Sequence, residues 1–97
     1  MERPNQVFVQ PLMTALNDTT FEVRLHAIES LMKQNVDKRE LFDVMLKMLS
    51  DNNDDVRRSA GKALQSLTGR MYGTDAAAWN AWLKAFGTDF NWGNEVK

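Results

Sequence analysis

Two aspartate–arginine pairs are the residues in this chain best placed to do chemistry. Asp18 precedes Arg24, and Asp51 precedes Arg57, by the same interval. An arginine fork can bond a carboxylate and neighbouring carbonyl oxygens at once. Such a repeated pair marks either a functional site or an ion-pair network internal to the fold, and such networks readily mimic sites. The lone histidine, His26, stands one position before the apolar Ala27 and lacks the partner pattern that a general base needs. No His, Asp and Glu cluster has metal-ligand spacing. The absence of cysteine removes thiolate zinc sites and disulfides. The run Asp51-Asn52-Asn53-Asp54-Asp55 has the acidic character of a calcium loop, but the glycine and closing glutamate of that pattern are missing. It reads as a solvated turn that caps a helix, with Asp54 or Asp55 accepting from a first-turn amide. No glycine-rich phosphate loop and no nucleophile elbow is present. The expectation is therefore a non-enzyme with no cofactor and no metal.

Composition points the same way. Ninety-seven residues make one domain, long enough to bury about 65% of its unfolded surface. Hydrophobic residues at 43% and charged residues at 26% are the mix of a soluble globular protein. Net charge is −1, and basic and acidic residues balance in each half of the chain. Such balance argues against strong non-specific binding to nucleic acid or anionic membrane. No stretch is long and apolar enough to span a bilayer, and MERPNQ at the N-terminus lacks the charged-then-apolar order of a secretory signal. A cysteine-free chain fits the cytoplasm and is compatible with the bacterial periplasm.

The elements that must position these residues are helices. Val56, Ala60, Ala63, Leu64 and Leu67 recur at helical spacing, and small Ala60, Gly61 and Ala63 let another helix approach closely. Gly61 costs a helix roughly 1 kcal/mol against alanine, so close packing or a kink must compensate. Shifted back by 33 residues, Leu49, Asp51, Val56, Arg57, Ala60 and Leu64 fall on Leu16, Asp18, Val23, Arg24, Ala27 and Leu31. A fixed period of this size marks stacked helical pairs.

The order leucine, aspartate, valine–arginine, alanine, leucine resembles the HEAT repeat over roughly 7–69. The resemblance implies an all-α solenoid of two helical hairpins, with repeat 1 over 6–34 and repeat 2 over 38–69. The first outer helix runs from Gln6 to Leu16. Pro11 should kink it, and the repeat requires a helix although Val7-Phe8-Val9 alone would suit a strand. The inner helices run from Phe21 to Gln34 and from Val56 to Leu67, with Lys38 to Leu49 as the second outer helix. Gly69 is free to take a left-handed cap conformation. LTGRMYGTDAAAWNAWL, Leu67 to Leu83, resembles the closing segment found after bacterial HEAT-type repeats. It implies a capping loop and helix over 70–87, in which a loop aromatic and two tryptophans cover the last inner helix, followed by a tail over 88–97. A solenoid needs such a cap, because its last repeat otherwise leaves an apolar face in water.

The resemblance also gives Asp18, Arg24, Asp51 and Arg57 a structural role, as a ladder tying neighbouring repeats together. Inner-helix residues unused by the core share the concave surface: Leu25, His26, Glu29, Met32 and Lys33 from the first repeat, and Arg58, Ser59, Lys62, Gln65 and Ser66 from the second. This mixed surface suits a protein or peptide, so the reading is a non-catalytic interaction or scaffold module whose candidate contacts are Leu25, His26, Glu29, Lys33, Arg58, Lys62 and Gln65. One alternative is nucleic-acid binding, as in HEAT-like DNA glycosylases, but Arg57, Arg58, Lys62, Arg70 and Lys33 offer few phosphate contacts. Another is a regulatory piece or subunit of a larger enzyme or signalling protein. Phe90 and Trp92 either pack on the cap or form a second contact surface. The apolar end at Val7, Phe8 and Leu12 allows two molecules to stack end to end, or packs on a preceding domain.

Overall fold

Two helices of this chain begin where a short polar side chain holds first-turn amides. The computed structural model describes residues 9–34, 36–90 and 92. It contains α1 (Val9–Ala15), α2 (Phe21–Leu31), α3 (Lys38–Met48), α4 (Asp54–Thr68) and α5 (Ala76–Phe86), and no strand among the described residues. The Asn53 side chain accepts from the amides of Asp55 and Val56. The cap of α4 is thus Asn53, which corrects the assignment to Asp54 or Asp55 and starts the helix ahead of Val56. Those two aspartates instead lie in the first turn, where their charge suits the positive helix end. Asp75 caps α5 by accepting from the Ala78 amide. Gly69 closes α4 at φ 78°, the left-handed conformation that glycine adopts without steric cost.

The helices pack as α1 on α2, α3 on α4, and α2 on α4. That is the arrangement of two hairpins stacked through their second helices. The core is continuous through both, with Leu16, Ala27, Ile28 and Leu31 from the first pair joined to Phe42, Met45, Val56, Ala60 and Leu64 from the second. The repeat partners Leu16 and Leu49, Ala27 and Ala60, and Leu31 and Leu64 are all buried. Pro11 lies within α1. The turn ahead of it, where a kink would show, falls outside the described residues, as do Gln6, Val7 and Phe8.

The C-terminal end is closed by aromatic packing centred on Phe42 of α3. Its ring centroid lies 5.9 Å from that of Trp79, 5.6 Å from that of Trp82 and 5.3 Å from that of Trp92. Tyr72 stands edge-on to Trp79 at 4.9 Å. The two tryptophans thus pack on Phe42 of the outer helix α3, and the loop backbone lies on α4. A Cβ added at Gly61 would sit 2.6 Å from the Gly73 carbonyl oxygen, so only glycine lets the loop come this close. Trp79 Nε1 donates to that same oxygen at 2.9 Å and holds it in place. The tail folds back. Phe90 packs on Trp82 at 5.0 Å, Trp92 Nε1 donates to the Gly87 carbonyl at 3.2 Å, and Arg39 stacks over the Trp92 ring at 5.8 Å.

Gly61→Ala separates helix propensity from packing. Propensity alone would stabilise α4 by about 1 kcal/mol. The contact with a carbonyl pinned by Trp79 reverses the sign, and a net loss of about 1–3 kcal/mol is expected. A lower thermal midpoint together with red-shifted tryptophan emission is the expected result. A chain truncated ahead of Asp75 should unfold or aggregate when followed by circular dichroism and light scattering, because Phe42 loses Trp79, Trp82 and Trp92 together.

Candidate functional site

The Asp/Arg pairs occupy equivalent places in the two hairpins. Arg24 Nη1 donates to the Asp18 carbonyl at 2.8 Å, and Arg57 Nη1 donates to the Asp51 carbonyl at 2.6 Å. Each arginine reaches back from its helix to the turn before it and satisfies a carbonyl there. The aspartates repeat as well. Asp18 accepts from the Thr20 amide at 2.8 Å and Asp51 from the Asn53 amide at 2.9 Å, so each carboxylate shapes the turn that starts its helix.

Arg24 also crosses to the next hairpin. Its Nε and Nη2 donate to the two carboxylate oxygens of Asp51 at 2.8 and 2.9 Å, a two-point fork, and Nη2 lies 3.3 Å from the Asn52 side-chain oxygen. Both side chains are largely shielded from solvent. The fork holds the Asp51 carboxyl below the usual carboxylate range and raises the Arg24 guanidinium in turn. Arg57 has no following hairpin to reach and pairs with Asp54 on its own helix. Among the described residues Asp18 makes no ion pair. The four residues therefore form one inter-hairpin rung with an open position at either end. They present no free reactive group, and this geometry is structural.

The candidate partner surface is spread over two helices. Glu29, Arg58, Lys62 and Gln65 are exposed, whereas Leu25 and Met32 are half-buried and pack against the core. Arg58 pairs with Asp55 at 2.6 Å on the solvent side. With Arg57 and Arg58 each held by an aspartate, the basic residues left for a phosphate backbone are few. His26 is placed differently from the rest. It is exposed, but it lines a groove with Leu12 and Ala15 of α1 and with Val23, Ala27 and Ser30 of α2. The groove measures about 410 Å³ and takes no residue from α3, α4 or the cap. Periodicity places His26 on the inner helix, but its position beside α1 becomes visible only when the two helices are docked. Among the described residues no three His, Asp or Glu side chains stand together as a metal group, and no helix there is long and apolar enough to cross a membrane.

Two helical hairpins stacked through their second helices, an aspartate–arginine rung between them and an aromatic cap define an α-solenoid repeat domain. A family model described as HEAT repeats matches residues 8–87, and the chain belongs to the HEAT repeat family. Proteins of this family commonly serve as scaffolds for protein–protein interaction and are generally non-catalytic. No curated protein and no solved structure matches the chain.

Acid unfolding should report the rung. The Asp51 carboxyl is depressed below the ordinary aspartate value of 3.8. The stabilisation from the fork is therefore complete above that value and is lost as pH falls through the lower folded value. Asp51→Asn should lower the melting midpoint by several degrees at neutral pH and flatten the loss of stability on acidification below the ordinary value. Equal pH dependence in variant and wild type, measured by thermal melts, would count against the assignment.

Proposed function

We propose that the chain is a non-catalytic protein-interaction module whose binding surface is the exposed row on the inner helices α2 and α4. The observation that carries this reading is the division of labour among the charged residues. Asp18, Arg24, Asp51 and Arg57 are used by the fold, whereas Glu29, Lys62 and Gln65 lie exposed beside the half-buried Leu25. Lys62 gives the α4 side of this row a basic character, and Glu29 with the apolar edge of Leu25 gives the α2 side an acidic and hydrophobic one. A peptide or protein presenting acidic groups towards α4 and a basic or apolar segment towards α2 fits such a surface. His26 and Lys33 flank the row at its α2 margin, and Arg58 borders it on the α4 side. Two hairpins make a short surface, at the low end of a standard interface, and a transient partner suits it better than an obligate one. A chain without cysteine works unchanged in a reducing compartment, and we place it in the cytoplasm.

The test is affinity capture with charge-reversed controls. A partner held by the wild-type chain should be lost with Arg58→Glu/Lys62→Glu and retained with Lys84→Glu, which changes a charge on α5 away from the row. All three proteins should melt at similar temperatures, because Arg58, Lys62 and Lys84 are exposed. Capture that survives the double reversal would refute the choice of surface.

A further inference from the structure

The internal repeat shows which part of the molecule is uncovered. Val23 and Val56 are the same residue at the same register, yet Val56 is 0% exposed and Val23 is 38% exposed. Ala63 is buried while its counterpart Ser30 is only half-buried. Residues of the second hairpin at these positions are covered because α2 packs on α4. In the first hairpin the corresponding positions line the open apolar groove between α1 and α2. The opposite end of the stack is closed by Trp79, Trp82 and Trp92. A second copy therefore cannot continue the stack head to tail, and the open end face it has to offer is this same groove.

The charges around the groove are arranged to accept that face. Glu22, His26, Glu29 and Lys33 stand at helical intervals in one exposed stripe along α2 and the turn that continues it, beside the groove-lining Val23, Ala27 and Ser30. The stripe begins acidic and ends basic. A two-fold axis crossing α2 at the level of Ala27 and Ile28 lays two copies of the helix antiparallel. It brings Glu22 opposite Lys33 of the second copy, and Lys33 opposite Glu22 of the second copy. The same operation sets Val23 beside Ser30 of the second copy and His26 close to Glu29 of the second copy. The rise of about 1.5 Å per residue leaves each of these pairs within one turn of register. A two-fold interface must be complementary to itself, and this stripe is.

We propose that the α1–α2 groove is a homotypic docking surface at which two copies of the chain associate through antiparallel α2 helices. The apolar contact comes from Leu12, Ala15 and Val23 of each copy, and the register comes from the two Glu22–Lys33 pairs. This surface shares His26, Glu29 and Lys33 with the α2 side of the partner row and leaves Arg58 and Lys62 uncovered; sedimentation reads self-association alone, so a failure of this proposal is distinct from that of the protein-interaction reading.

Sedimentation equilibrium on the full chain over micromolar to millimolar concentrations tests it. Wild type should pass reversibly from an 11.1 kDa monomer to a dimer. Val23→Glu should remain monomeric with an unchanged circular dichroism spectrum, because the Val23 side chain is already part-exposed in the monomer. Lys33→Glu should weaken the dimer roughly tenfold by setting like charges opposite each other, and Glu22→Lys/Lys33→Glu should restore it. A single monomeric species at every concentration overturns the proposal. A dimer indifferent to both Val23→Glu and Lys33→Glu overturns it equally, since association would then use another face.

Discussion

A stack of helical hairpins is constrained by its ends. Inside the stack each apolar face is covered by the next hairpin, but the first and last faces have no such neighbour. The C-terminal end of this chain solves the problem with a segment that does not repeat. The loop before α5 lies against α4 so closely that Gly61 must lack a side chain, and Trp79 fixes the loop by bonding the carbonyl that passes over that glycine. Around Phe42, three indole rings then fill the space that a third hairpin would take. Aromatic pairs of this kind contribute about 0.5–1.5 kcal/mol each beyond the area they bury. A two-hairpin stack is near the lower size limit for independent stability, and the cap adds buried aromatic surface to it.

Along the stack a second interaction sets the relation of one hairpin to the next. Hydrophobic contact between α2 and α4 is non-directional and would tolerate sliding. The Arg24 fork is directional, since it must meet both oxygens of Asp51 while its remaining nitrogen holds the Asp18 carbonyl. One side chain therefore ties its own turn to the next one. Asp51 in turn shapes the turn that starts α4 by accepting from Asn53, so the inter-hairpin contact and the start of the following helix are mechanically one unit. The two ends of the rung differ in position and in sequence, since Asp54 has Phe21 as its counterpart in the first repeat. Arg57, with nothing beyond it, folds onto Asp54.

Much of this was legible in the sequence for a definite physical reason. Helical periodicity is a local property, and the 33-residue identity of Leu, Asp, Val-Arg, Ala and Leu repeats because each hairpin meets the same packing problem. The helices α2, α3 and α5 begin at the residues that periodicity and capping chemistry indicate, and Gly69 takes the left-handed cap that its place after α4 requires. The start of α4 was misplaced because three short polar side chains in succession can each cap a helix. Choosing among Asn53, Asp54 and Asp55 depends on backbone angles that composition does not encode.

Residue types and spacing by themselves determined that the chain is a set of amphipathic helices in two related hairpins, each with an aspartate and an arginine at the same repeat positions. Tertiary structure decided which of two identical residues is covered. Val23 and Val56 are the same in type and register, and they differ in exposure because Val56 lies in a stack where α2 packs on α4 and Val23 lines a groove. It also decided that Gly61 serves a close approach by the loop, that Phe90 and Trp92 belong to the cap, and that His26 borders α1. Each of these depends on a contact between segments far apart in the chain, and such contacts exist only once the helices have been docked.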